Sequence, residues 1–390
     1  MAARARPPEL RLLWLTENYP PARGGMAQSC DRIVHSLRHA GAGVDVVHLT
    51  RRARQERLER RRAGYDLLWP VREDPAHSLN CLWNRLTAER DRATDQTISH
   101  VVAFGGVLPL VAAPVFAAWL RVPLVTMIRG NDFDVAVFSP KRADILHRAL
   151  ERSTRVCAVS RDKVEKIAAL YPATEPRWIP NGIDLAQWTP LGSDETRAAE
   201  WRRTIASPPE QTPRRVLGIF GQIKPKKGGL FFLETLRRSP YRERFHVAFV
   251  GELSDEITAW LTMYGPTLRH SAAQFGDRYD LMWRYLACDL VVLPSFYDGL
   301  PNVLLEAGAL GVPPLAALTG GMADFLRDGE HGFLFRPGDA AQCRQALDRA
   351  SRAGAGELRR CGERCRELVR ERLTHELELR RYLELFAELP

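Results

Sequence analysis

The chain has no cysteine framework. Its seven cysteines are odd in number and scattered over 390 residues, at 30, 81, 157, 288, 343, 361 and 365. That excludes a disulfide-stapled secreted scaffold and points to a reducing cytoplasm. Cys361 and Cys365 stand one helical turn apart, but no His or Cys lies near them at zinc-site spacing, so a metal pair is not expected. A secretory leader is not expected either: the first eight residues hold no long apolar core and run straight into a strand-like segment at 10–15. An unbroken membrane span is equally absent. Residues 101–120 carry no charge, yet Gly105, Gly106, Pro109 and Pro114 divide them into a strand at 101–104, a glycine turn and a short buried helix.

What is present describes a globular protein of ordinary composition, 45% apolar and 26% charged. The length exceeds what one hydrophobic core usually serves, so two domains are expected. A net charge of +9, from arginine enrichment, suits an anionic ligand or surface: a nucleoside diphosphate, a lipid headgroup or a nucleic acid. Strand-like runs at 10–15, 44–49, 67–71, 101–104, 124–128, 156–159 and 178–180 alternate with helical patterns. The alternation resumes at 216–220, 247–250, 290–293, 314–317 and 332–335, each but the last followed by a helical pattern. This predicts an α/β protein with two parallel, Rossmann-like sheets, split by a polar linker at 189–214, with a ligand at the strand carboxyl ends between them. From 356 to 389 the chain reads as helical and highly charged.

The most informative segment is Asp289 to Pro313. A buried strand leads through Ser295 to Asp298-Gly299-Leu300-Pro301, where proline marks a first helical turn, and Glu306 follows one to two turns inside that helix. The helix N-terminus suits a diphosphate, Glu306 suits ribose hydroxyls and Asp298, on the preceding loop, suits a sugar. The segment resembles the E-x7-E region of retaining GT-B glycosyltransferases, in particular glycosyltransferase family 4, with Asp298 where the first glutamate stands. Further segments extend the resemblance over nearly the whole chain. Gly221-Gln222 and Lys227-Gly228, after the strand at 216–220, match a G-R-x-x-x-x-K-G loop in which Gln222 replaces the arginine. Leaving-group stabilisation would then lean on Lys227, with Lys224 or Lys226 beside it. Glu17 to Met26 holds the Gly24-Gly25 loop, where backbone can approach a phosphate or sugar. Arg129-Gly130-Asn131-Asp132 occupies the place of an H-G-x-D segment, with an arginine that cannot serve as a base. Gly320-Gly321-Met322-Ala323-Asp324 matches a G-G-x-x-E loop, again with aspartate.

The resemblance implies a GT-B fold, two Rossmann-like domains facing each other across a cleft. The first would span 1–188 on the acceptor side and the second 189–373 on the donor side, with a last helix at about 374–390 packing back on the first. It implies transfer of a sugar from a UDP- or GDP-sugar to an acceptor hydroxyl with retention, the leaving diphosphate helping to deprotonate the acceptor. Asp298, Lys227 and Arg129 are the expected catalytic residues. Glu306, Gln222, Gly24, Gly25, Gly299, Leu300, Pro301, Asn302 and Val303 are expected at the donor, and Asn131 and Asp132 at the acceptor. No cofactor and no metal are expected; the one literal D-x-D, Asp132 to Asp134, lies on the acceptor side. The expected partners are the nucleotide-sugar donor and a hydroxyl acceptor, with no nucleic acid. The arginine-rich stretch 51–62 is open to three readings: a contact with an anionic membrane at its inner face, a grip on an anionic acceptor, or a solvated helix face. Two rivals remain: a UDP-sugar epimerase, whose paired carboxylates and histidine have no clear match, and a catalytically degenerate binding protein, which the Gln222 and Arg129 departures would suit.

Overall fold

The computed structural model describes residues 10–92, 97–205, 214–223, 225–274 and 277–390, with the side chains at 90–92, 131 and 278 outside that description. Residues up to Pro180 together with His375–Pro390 form one compact unit, and Asn181–Thr374 form the other. The boundary falls at Pro180 rather than 188 because the intervening residues are built into the second unit. The Asn181 carboxamide donates to the Leu300 carbonyl at 2.6 Å, and Trp188 packs edge-on against Tyr285 at 5.8 Å.

The first unit runs β1 (Arg11–Thr16), α1 (Gly25–His39), β2 (Gly43–Thr50), β3 (Arg57–Arg61), β4 (Gly64–Pro70), α2 (Pro75–Arg92), β5 (His100–Phe104), α3 (Val107–Leu120), β6 (Leu124–Ile128), α4 (Asn131–Asp134), α5 (Pro140–Glu151), β7 (Arg155–Ala158), α6 (Arg161–Leu170) and β8 (Pro176–Trp178). Its eight-stranded sheet has the order β3-β4-β2-β1-β5-β6-β7-β8, parallel except where β3 meets β4. The central strands are apolar on both faces because helices cover both: Leu13, Leu15, Val101 and Ala103 feed one core, Leu12, Trp14, Val102 and Phe104 the other. Among the described residues no helix is long and apolar enough to cross a membrane. The uncharged run at 101–120 becomes β5 and the fourteen-residue α3, which contains Pro114.

The stretch 51–62 is not a helix. Its second half is the edge strand β3, paired antiparallel with β4 through a turn at Gly64. That glycine has φ +110° and no room for a Cβ against the Val44 carbonyl, so the turn needs it. On one face of the strand Glu59 lies 2.5 Å from Arg57 and 2.6 Å from Arg61. A strand of alternating charge is a common way to blunt a sheet edge.

The second unit runs α7 (Gly192–Ile205), β9 (Arg215–Phe220), α8 (Gly229–Arg237), β10 (Phe245–Val250), α9 (Asp255–Tyr264), β11 (Arg269–Ala273), α10 (Arg278–Leu286), β12 (Leu290–Leu293), α11 (Asn302–Ala309), β13 (Pro314–Ala317), β14 (Phe333–Phe335), α12 (Ala340–Arg352) and α13 (Ala355–Arg372); α14 (His375–Ala387) returns to the first unit. Its six strands are all parallel, in the order β11-β10-β9-β12-β13-β14. The expected linker holds α7, which docks through Arg202 to Asp289 at 2.9 Å and to the Ala287 carbonyl at 3.0 Å. The last strand is followed by a helix after all: Asp339 caps α12 by accepting from the Gln342 amide at 2.9 Å.

Candidate active site

In the second unit, β9, β12 and β13 are adjacent and parallel, so the loops that follow them emerge on one edge of the sheet. Two glycines let those loops touch. Gly228, at φ +67°, lies against the Pro294 carbonyl, and Gly320, at φ +52°, against the carbonyl of Asp298; a Cβ at either place would strike backbone. The Gly321 amide donates to the Gly299 carbonyl at 2.7 Å, and the Phe296 amide to that of Lys226 at 3.0 Å. The clamped loop 294–301 thereby presents Asp298 to the turn Pro225–Lys227. Lys227 Nζ donates to Asp298 Oδ2, Lys226 Nζ lies 4.0 Å from Oδ1, and the Gly299 amide donates to Oδ1 at 2.9 Å. Burial works to raise the Asp298 pKa, but the two ammonium groups and these hydrogen bonds outweigh it, so the carboxyl sits below its ordinary value.

Pro301 caps α11, with Gly299 and Leu300 buried ahead of it and Asn302 and Val303 half-buried in its first turn. The N-cap residue is a proline, whose side chain makes no capping hydrogen bond, and the positive end of the helix dipole lies at this loop. Glu306, 8% exposed, stands in the second turn, where its Oε2 accepts a hydrogen bond of 2.6 Å from Tyr285 Oη. Tyr285 is fully buried and its ring stacks on Phe220 at 3.9 Å. Burial, followed by the Glu306 charge, pushes the phenol pKa well up and keeps it a donor. Gln222 is exposed, and its Nε2 donates to Glu252 Oε2 at 3.0 Å. Lys224 lies outside the described residues.

In the first unit β1, β5 and β6 are likewise neighbours. Gly24, at φ +115°, opens α1, and Gly25 is its first residue. The Glu17 carboxylate caps α3 by accepting from the amides of Val107 at 3.1 Å and Leu108 at 3.2 Å. Burial still raises its pKa. Asp132 closes its own turn, taking the amides of Arg129 at 2.8 Å and Gly130 at 2.6 Å, and burial raises its pKa as well. Arg129 points inward, 3% exposed. Its Nη1 donates to Tyr382 Oη at 3.0 Å, its Nη2 lies 3.9 Å from Glu378, and its guanidinium sits over the Phe104 ring at 5.2 Å. Glu378 also receives Arg32 at 3.0 and 3.3 Å. Arg129 therefore ties β6 to α14. The side chain of Asn131, the first residue of α4, is not described. Asp134 pairs at 2.8 Å with Lys163, which is 1% exposed. Among the described residues no three His, Cys, Asp or Glu side chains are grouped to hold a metal ion.

Two family models match this chain: "Glycosyltransferase Family 4" over residues 23–187 and "Glycosyl transferases group 1" over residues 202–368. The chain belongs to the GT-B glycosyltransferases, family 4-like. It is 30% identical over 243 residues to the teichuronic acid biosynthesis glycosyltransferase TuaC of Bacillus subtilis, named putative in its description, covering 61% of this chain and 57% of that protein. It is 27% identical to a D-inositol 3-phosphate glycosyltransferase of a Mycobacterium species, over 57% of this chain and 50% of that protein. It thus spans little more than half the length of these relatives. The GT-B fold is shared along the whole chain with sucrose-phosphate synthase of Thermosynechococcus elongatus, at a TM-score of 0.80, 17% identity and coverage of 97% and 99%. Anabaena HepE, solved with UDP and glucose, gives 0.77, 18%, and coverage of 98% and 100%.

Within this GT-B glycosyltransferase the structure gathers Lys227, Asp298, Gly299, Pro301 and Glu306 on one edge of the second sheet, and sends Gln222 to Glu252 instead. Sequence reading missed Tyr285, Glu17, Glu378 and Tyr382. A tyrosine in an amphipathic helix such as α10 carries no local mark of a glutamate partner 21 positions on. Glu17 adjoined the Gly24-Gly25 motif, so an acidic residue directly after a strand was an available signal.

Proposed function

We propose that the chain moves a sugar from a nucleoside diphosphate sugar to an acceptor hydroxyl, with retention of configuration and without a metal, in the cytoplasm. The observation that carries this reading is the contact of Lys227 with Asp298 beside the start of α11, with Glu306 held by Tyr285 one to two turns inside. Those groups suit the three parts of such a donor: ammonium and helix end for the diphosphate, Glu306 for the ribose and Asp298 for the sugar. This reading assigns no covalent nucleophile. The rate would come from positioning and from charge stabilisation of the departing diphosphate, which itself takes the acceptor proton on the same face.

Lys227 donates to Asp298, so a diphosphate would compete with that carboxylate for the same ammonium. Hydroxyls of the sugar would then satisfy the released carboxylate. UDP-sugars are the first donors to test, because HepE was solved with UDP and glucose. The test is thermal stabilisation by a panel of nucleoside diphosphates and their sugars, in the parent chain and in Glu306→Ala, followed by turnover assays. A preference for one nucleotide that disappears in the variant supports the reading. Silence at millimolar ligand in a folded protein removes the donor site and favours a binding protein.

A further inference from the structure

Helix α1 keeps its apolar residues inside: Ala27, Cys30, Ile33, Val34 and Leu37 are buried. Asp31, His35 and His39 are exposed, each one turn from the next, and so share the solvent face. None of the three belongs to the loops at the carboxyl edge of the sheet. At a rise of about 1.5 Å per residue, the two histidines stand about 15–20 Å along the helix from Gly25.

Histidines at i and i+4 on one helix face can share a metal ion, whose imidazole ligands, at about 2.0–2.1 Å from zinc, put their nitrogens about 3 Å apart. The His35 and His39 rings are already close, with centroids 4.0 Å apart and planes inclined at 42°. His39 also holds the tautomer that ligation needs. Its Nδ1 lies 3.0 Å from the His35 carbonyl, and because a carbonyl only accepts, Nδ1 carries the proton and Nε2 keeps its lone pair. Ligating histidines are commonly oriented by such a bond from the second nitrogen to a backbone carbonyl.

The local charges favour a cation. His39 ends α1, where the last carbonyls form the negative end of the helix dipole. Asp31 stands one turn before His35, close enough for their charges to interact. The two arginines of this stretch are engaged by carboxylates, Arg32 by Glu378 at 3.0 Å and Arg38 by Asp66 at 2.8 Å.

We propose that His35 and His39 bind a divalent transition-metal ion of the kind imidazole prefers, copper, nickel or zinc, on the last two turns of α1. Among the described residues no third His, Cys, Asp or Glu is grouped with them, so water fills the remaining positions and Asp31 contributes charge. The ion takes no part in sugar transfer. It staples residues four apart, so it binds the folded helix better than the unfolded chain and stabilises it.

The test is calorimetric titration of the untagged full chain with nickel, zinc and magnesium chlorides, with thermal unfolding followed in parallel. The parent chain would be compared with His35→Gln, with His39→Gln and with His77→Gln, which breaks the other ligand pair one turn apart, His77 with Cys81. We expect nickel and zinc to bind and to raise the unfolding midpoint, and magnesium, which prefers oxygen ligands, to do neither. Affinity should fall at least about tenfold in His35→Gln and in His39→Gln, and stay unchanged in His77→Gln. Nickel and zinc affinity that survives either of the first two substitutions overturns the proposal. So does a parent chain that binds neither ion at millimolar concentration.

Discussion

Asp298→Asn separates the two jobs that the Lys227 contact implies. In the structure the ammonium is bound by Asp298, whereas in the proposed donor complex it must serve a diphosphate. Exposed ion pairs contribute at most about 1 kcal/mol, and breaking a buried pair costs about 3–5 kcal/mol. Lys227 is 32% exposed and Asp298 12%, so the substitution should cost the second unit about 1–2 kcal/mol, between those limits. Its effect on nucleotide should be of opposite sign. A carboxylate about 6–8 Å from a diphosphate, at an effective dielectric of about 20–40, opposes each unit of its charge by about 1–3 kcal/mol. Asp298→Asn should therefore bind the nucleoside diphosphate at least about fivefold more tightly by calorimetry, while transferring sugar at least tenfold more slowly. The parent chain should show the same trend with pH. Asp298 has a folded-state pKa below its unfolded value, so its contribution to stability is complete above the ordinary carboxylate range and lost as pH falls through the depressed value. Over that fall nucleotide affinity should rise once the nucleotide's own protonation is subtracted. Weaker nucleotide binding by Asp298→Asn, in a folded protein, would refute the exchange of anions on Lys227.

Tyr285→Phe keeps the stack on Phe220 and removes one buried hydrogen bond to a carboxylate, so nucleotide affinity should fall about tenfold and stability by about 1–2 kcal/mol. Unchanged affinity would detach Tyr285 from the ribose site. Gln222→Arg restores a charge, but Glu252, already 3.0 Å from Gln222, should capture it. The gain in nucleotide affinity should stay under about threefold until Glu252→Gln is added, a coupling that a double-mutant cycle measures. Arg129→Ala breaks the tie to Tyr382 and Glu378 while Arg32 still pairs with Glu378, so urea unfolding should show a loss of about 2–4 kcal/mol. A loss under about 1 kcal/mol would free Arg129 for a direct role in catalysis.

The sequence by itself determined every described strand but β3 and β11, twelve of fourteen. Apolar runs such as 290–293 and 314–317 read as buried parallel strands because both faces must be covered. The glycines at 228, 299 and 320 and the proline at 301 punctuate the loops that follow, because turns and helix starts are local chemistry. Lys227, Asp298 and Glu306 were legible from that frame. Tertiary structure alone decided what each polar side chain meets. Residues 51–62 carry helix-compatible charges, but pairing with β4 made their second half a strand. Arg129 finds Tyr382 across 253 positions, and Gln222 finds Glu252 across 30. Secondary-structure periodicity acts over a few residues. Partners at such separations are chosen by topology and by the cost of leaving a buried charge unpaired, neither of which is written in any local stretch of chain.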